Sequence, residues 1–428
     1  MDEIQGLLDQ GLADLPRLFL EGLISKKLRV LGVRSTKELS SKIVTHILSG
    51  NSEPFIWNGT GRRKNITITM GEEDLNEMTR QIDDFCEIKL PQLIKGLAAS
   101  TSAELLKDLT VSWVKEQALQ KVEFSEFCDR MEDRWGQLLG QLRMLLNIAR
   151  EWCEKAHTRE LRQKKEKKLD SKNILIRLLV RACQVTYEII CLLENGFADG
   201  AMARWRTLHE IGVVAAILSQ HGEDIVERYI AHQAIESKRA MDKYMSCCEQ
   251  LGYKPLSEKA QRKIVKAYEA AIARYGKEFG SDYGWASEHL KLKRPTLKDL
   301  EEVAGRADMR AHHQMANDNV HAGIKSMFFR LGAFEGYSGL LAGRSNAGLM
   351  EPGQNTAHTL TQLAILVCLS ENNVDDNLIA NVMRKLRDEI PRSFYHADKK
   401  PRMDDKKYRK LPKGTDAADE VVPANPTR

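Results

Sequence analysis

The run "ILIRLLVRACQVTYEIICLL", Ile174 to Leu193, constrains this chain more than any other stretch. Its polar members Arg177, Arg181, Gln184 and Glu188 recur at intervals of four, three and four, which places them on one face of a helix. Everything around that face is apolar. A membrane span needs about 20 uninterrupted apolar residues, and these four interrupt it. The segment is therefore an amphipathic helix that must bury most of its circumference against other helices. The same period continues from Asn173 to about Glu389, over elements expected at 173–195, 199–220, 222–250, 256–278, 296–304, 306–334, 355–374 and 376–388. Gly196, Gly222, "LGYKPLS", "GSDYGWAS", "KRPT", a glycine-rich loop near 339–353 and "ENNVDDN" punctuate them. The fold class is mainly α, with a C-terminal helical bundle over 173–390.

At 428 residues the chain is too long for one core. Residues 1–152 form an N-terminal region that is mostly helical, with one β-hairpin near 54–70. There "EPFIW", then Asn58-Gly59 and Gly61, then alternating "NITIT" give a strand, turn and strand pattern. The turn carries Arg62, Arg63 and Lys64, which suits a solvated tip. Residues 153–172, "EKAHTRELRQKKEKKLDSKN" from Glu154 on, read as a charged linker or solvated helix, with a basic surface for RNA or an acidic partner as the sharper reading. Residues 391–428 mix charge with proline and lack apolar period, so a disordered tail is expected.

Function classes narrow in the same way. A net charge of +5 against 65 basic and 60 acidic residues does not by itself point to nucleic acid. The start, "MDEIQGLLDQ", lacks the order of a signal peptide, and the eight cysteines form no C-x-x-C, so reduced thiols in the cytoplasm are expected, with no membrane. The glycine-rich run has no phosphate-loop motif. No cofactor is expected.

Two helices carry the chemistry. In "AMARWRTLHEIGVVAAILSQ", Arg206 and Glu210 are four apart and lie in line with Val213, Val214 and Ile217, a stripe that should face the core. Buried ions persist only when satisfied, so this pair is either an internal salt bridge or an anion site with an acid–base partner. In "RADMRAHHQMANDNVHAG", His313, Asn317 and His321 are spaced by four, with Lys325 extending the stripe. A narrow polar strip among small apolar residues should line a cavity or meet another buried polar strip. His313 and His321 stand about 12 Å apart along a helix, too far to share one metal ion, and no metal site is expected.

At these residues the chain resembles a bacterial all-helical family, domain of unknown function 5677. The resemblance rests on Arg206 and Glu210 in "RTLHE", on "YGWAS" at Tyr283 to Ser287, and on Asn317 and His321 in "NDNVHAG", and it covers about 173–340. Where the family tends to have Tyr and Ser on the last helix, this chain has His313 and Asn317. The resemblance implies a helical fold and no particular activity. A looser likeness is to the HEPN ribonucleases of toxin and phage-defence systems, helical bundles that pair an arginine with a histidine without metal. It implies an arginine on the scissile phosphate and a histidine moving the 2′-hydroxyl proton. "RWRTLH" and "RADMRAH" match that spacing imperfectly, with Trp205 and Ala307 where a polar residue belongs.

Two readings follow. In one, the chain is a metal-independent RNA-cleaving effector, with Arg206, Glu210, Asn317 and His321 catalytic and His313, Tyr283, Trp285 and Lys325 holding the substrate. In the other, it is a helical interaction module whose polar cluster specifies packing. RNA, a protein bound through the N-terminal region, and a second copy of the chain are the candidate partners.

Overall fold

Side-chain caps begin several helices: Thr36 accepts from the Leu39 amide, Asp170 from that of Asn173, and Ser257 from that of Ala260. The computed structural model describes residues 2–51, 53–57, 65–163, 170–333, 341–369 and 373–409. They fall into two compact units, Met1–Lys121 and Val122–Arg428, whose border lies inside one long helix.

The first unit contains α1 (Asp2–Ala13), α2 (Leu15–Val30), α3 (Lys37–Leu48), α4 (Glu72–Asp84), a π turn (Phe85–Lys89) and the first part of α5 (Leu90–Gln163). Its core is small. Leu20, Ile24 and Leu28, one helical turn apart on α2, meet Leu39, Ile43 and Val44 of α3. The expected hairpin near 54–70 is overturned, since the described residues contain no β-strand. Phe55 from one side of the turn and Ile68 and Met70 from the other pack on this core instead. Their backbone finds other partners: Lys27 Nζ donates to the Thr69 carbonyl at 2.8 Å, and His46 Nε2 contacts the Glu53 carbonyl at 2.7 Å. A lone two-stranded ribbon is marginal in water, and packing the apolar side chains onto α2 and α3 outcompetes it. The basic turn, Arg62 to Lys64, lies outside the described residues.

The second unit begins with the rest of α5, which buries Trp135, Leu142, Leu145, Ala149 and Trp152. It continues through α6 (Ser171–Glu194), α7 (Ala198–Ala231), α8 (Gln233–Cys247), α9 (Glu258–Tyr275), α10 (Ser287–Leu290), α11 (Leu297–Val303), α12 (Arg310–Asp318), α13 (Ile324–Phe328), α14 (Met350–Cys368) and α15 (Val374–Arg409). On α6, Arg177, Arg181 and Gln184 face solvent while Leu175, Leu179, Ala182, Val185 and Ile189 are buried, as the period requires. Helix α6 packs along α7, α14 lies against both, and α11 and α12 cover another part of α7. Gly222 breaks α7 with φ +74°. No described helix is long and apolar enough to cross a membrane.

The last helix corrects a second expectation. Residues 391–409 continue α15, and Phe394 is fully buried with its ring 5.8 Å from that of Trp135. One aromatic with a pocket to fill holds this stretch in the helix despite its charge. Near the other end of α15, Asp376 accepts from Trp152 Nε1 at 2.8 Å and from both terminal nitrogens of Arg159 at 2.6 and 3.0 Å. Residues 410–428 lie outside the described residues.

Candidate functional site

Helix α7 places its chemistry beside its packing residues. Trp205 is fully buried, and its Nε1 donates to Thr359 Oγ1 of α14 at 3.1 Å. One turn further, His209 is also buried, and its Nε2 lies 2.9 Å from Glu301 Oε1 on α11, with both side chains only 1% exposed. Arg310 of α12 closes the carboxylate's other oxygen at 2.8 Å. A charged group sealed this deeply is tolerated only with every lone pair engaged, and here Glu301 is held from two sides.

Arg206 and Glu210 are both half-buried and turn to separate partners. Arg206 Nε donates to His313 Nε2 on α12 at 3.3 Å. Glu210 Oε1 accepts from the Tyr283 hydroxyl at 2.8 Å. The bond from Arg206 fixes the tautomer of His313: Nε2 must present its lone pair, so the proton sits on Nδ1. That Nδ1 is buried without a hydrogen-bond partner, and so are His312 Nδ1, Arg306 Nε and Asn317 Oδ1. Burial pushes His313 down to about 4, with nearby Glu301 opposing the shift and His209, Arg206 and Arg310 adding to it. Burial also lowers His209, against the pull of Glu301, and raises the Tyr283 phenol, as Glu210 does too. Both histidines are therefore neutral near pH 7.

The expected polar stripe is only half realised. His313 and Asn317 lie on α12, but the helix ends at Asp318 and His321 follows in an exposed turn, its amide donating to the Asn317 carbonyl at 3.1 Å. The run "NDN" explains the stop, because Asn and Asp offer the backbone local alternatives to the helix. Lys325 is on α13, paired with Asp318 at 2.7 Å. Trp285 is core: its ring lies 5.1 Å from that of Tyr229, and its carbonyl accepts from Arg228 Nε at 3.0 Å. The structure thus joins Arg206 with His313 and Glu210 with Tyr283. His321 and Lys325 stand outside those contacts.

Three residues of the network escaped the sequence reading. Glu301 lies next to Leu300 and four residues after Leu297, both packed in the core, which was the available signal. Its neighbour Glu302 obscures it. His209 ended a motif but was not seen as a core partner, and Arg310 was assigned no role. A separate cavity of ≈ 270 Å³ lies between α5 and α6, lined by Arg143, Leu146, Asn147, Tyr187, Cys191 and Glu194 among others. Among the described residues no group of three or more His, Cys, Asp or Glu is placed to hold a metal ion.

Residues 172–338 match the model of a family of unknown function, DUF5677. The match takes in Arg206, Glu210, the Tyr283 loop and α11 to α13. No curated protein and no solved structure matches the chain.

Proposed function

We propose that the DUF5677 segment is a helical protein-binding module of the cytoplasm, and that its polar cluster sets how α11 and α12 seat on α7. One observation carries this reading: α12 turns His313 inward and then stops, and the next residues present Val320, Ile324, Met327, Phe328 and Phe329 to solvent. Large apolar side chains grouped in this way are characteristic of contact surfaces. The eight cysteines, all free thiols, accord with a reducing compartment.

Metal-independent RNA cleavage in a defence or toxin setting, suggested by the arginine and histidine spacing, is the competing reading. It requires Arg206 and a histidine at one open site. Arg206 instead donates to His313, which is 3% exposed, while His321 lies in the turn beyond the helix. The test is RNA cleavage in EDTA by wild type, Arg206→Ala and His321→Ala, with a melting curve for each. The binding reading expects no cleavage above a protein-free blank, and His321→Ala melting with wild type. EDTA-resistant cleavage that disappears in a folded Arg206→Ala or His321→Ala protein would refute it.

A further inference from the structure

From Pro91 to Lys121 every residue of α5 except Thr101 is exposed. The exposed residues include Leu93, Ile94, Leu97, Leu105, Leu106, Leu109, Val111, Trp113, Val114 and Leu119, with Leu106 66% and Trp113 51% accessible. Of these ten, Leu105, Leu106, Leu109 and Trp113 share one face of the helix, within an arc of about 100° at 3.6 residues per turn. Gly96, Ser100, Thr101, Ser102 and Thr110 are weak helix formers. A helix built this way gains most of its stability from what packs on it.

The segment is complementary to itself when reversed. Consider a second copy antiparallel to the first, with a two-fold axis passing between Leu105 and Leu106, so that residue i lies level with residue 211 − i. Lys95 then meets Glu116 of the other copy, Ala98 meets Trp113, Ser102 meets Leu109, and Leu105 meets Leu106. At 3.6 residues per turn, all eight of these side chains fall within an arc of about 100° centred on the axis. On either side of the axis they recur every three or four residues, the spacing of a helix–helix seam. Small faces large at Ala98–Trp113 and Ser102–Leu109, and opposite charges close both ends. In a parallel pair the same face would set Trp113 on Trp113, Lys95 on Lys95 and Glu116 on Glu116.

We infer that α5 residues 91–121 form the interface of a homodimer, two copies packing antiparallel about an axis at Leu105 and Leu106. Such an interface is isologous and closes without leaving a further site for growth. It lies on a different surface from the proposed binding module and stands or falls independently of it.

Sedimentation velocity and light scattering of the full chain test this. The expected mass is twice 48.6 kDa at micromolar concentration. Leu106→Glu and, separately, Trp113→Glu should give monomers whose helix content in circular dichroism matches wild type, since both side chains are exposed in the single chain. Lys95→Glu alone and Glu116→Lys alone should each weaken dimerisation about tenfold, because each places like charges together twice per dimer. Lys95→Glu with Glu116→Lys in one chain should return the Kd to within about threefold of wild type, because the reversed pairs attract again. A wild-type monomer at every concentration overturns the proposal. So does a dimer untouched by Leu106→Glu, or one in which the double charge reversal fails to recover.

Discussion

His313→Gln at two pH values tests the reading of the polar cluster most directly. In the folded chain burial holds His313 neutral, down to about 4, whereas in the unfolded chain its imidazole titrates at its ordinary 6.5. Between those values the unfolded chain carries the extra proton, so stability must fall as the pH falls from 6.5 toward 4, and is fully present above 6.5. The gap of about 2.5 pH units, at 1.36 kcal/mol each, amounts to about 3 kcal/mol, of which about 2.5 kcal/mol is already lost at pH 4.5. Gln keeps an acceptor for Arg206 Nε and does not titrate. Urea unfolding followed by tryptophan fluorescence suits the measurement, because four of the six tryptophans, Trp135, Trp152, Trp205 and Trp285, are buried in this unit. Between pH 7 and pH 4.5 wild type should lose about 2.5 kcal/mol more than His313→Gln does. His209, lowered by burial in the same direction, contributes to the acid sensitivity of both proteins and cancels in the comparison. If both proteins lose the same stability over this interval, His313 is not held neutral by burial, and the account of the cluster as a sealed packing network is refuted.

Glu301→Ala removes the carboxylate shared by His209 and Arg310, and thermal melting should show a loss of about 2–3 kcal/mol, as expected when a buried hydrogen-bonded charge is deleted. Asp376→Ala strips Trp152 Nε1 and Arg159 of their common acceptor, and should cost about 2–3 kcal/mol in the same assay, whereas Asp376→Asn should cost less because one acceptor oxygen survives. Gly348→Ala should be among the more damaging single changes, about 2–4 kcal/mol, since the residue has φ +76° and its new Cβ would fall 2.0 Å from the Leu331 carbonyl oxygen. His321→Ala, in an exposed turn, should leave the melting curve within about 0.5 kcal/mol of wild type.

How far the sequence could be read depended on the range over which each feature is decided. The face of α6 was legible because the positions of Arg177, Arg181 and Gln184 are fixed by helical period alone, whatever the neighbours. The break at Gly222 was legible because a positive φ has a local cause. The hairpin was misread because "NITIT" has a strand's alternation while its outcome was set by α2 and α3, about 25 to 50 residues earlier, which take Ile68 and Met70 into their own core. The tail was misread for the converse reason: Phe394 is one apolar residue in a charged run, and only the pocket beside Trp135 makes it decisive. The site shows both limits within a single helix. The stripe position of Arg206 left an internal salt bridge and an anion site both open, and in the fold Arg206 meets His313. That the strip would end before His321 depended on a contest between helix propagation and the local bonds of Asn317, Asp318 and Asn319, worth tenths of a kcal/mol per residue. Differences of that size are settled by tertiary packing, and on α12 His313 and Ala316 are the buried residues, both before the helix ends at Asp318. The long-range partner of His209 was the least legible feature of all. A carboxylate 92 positions away in sequence, Glu301, becomes its neighbour only because α11 is laid across α7.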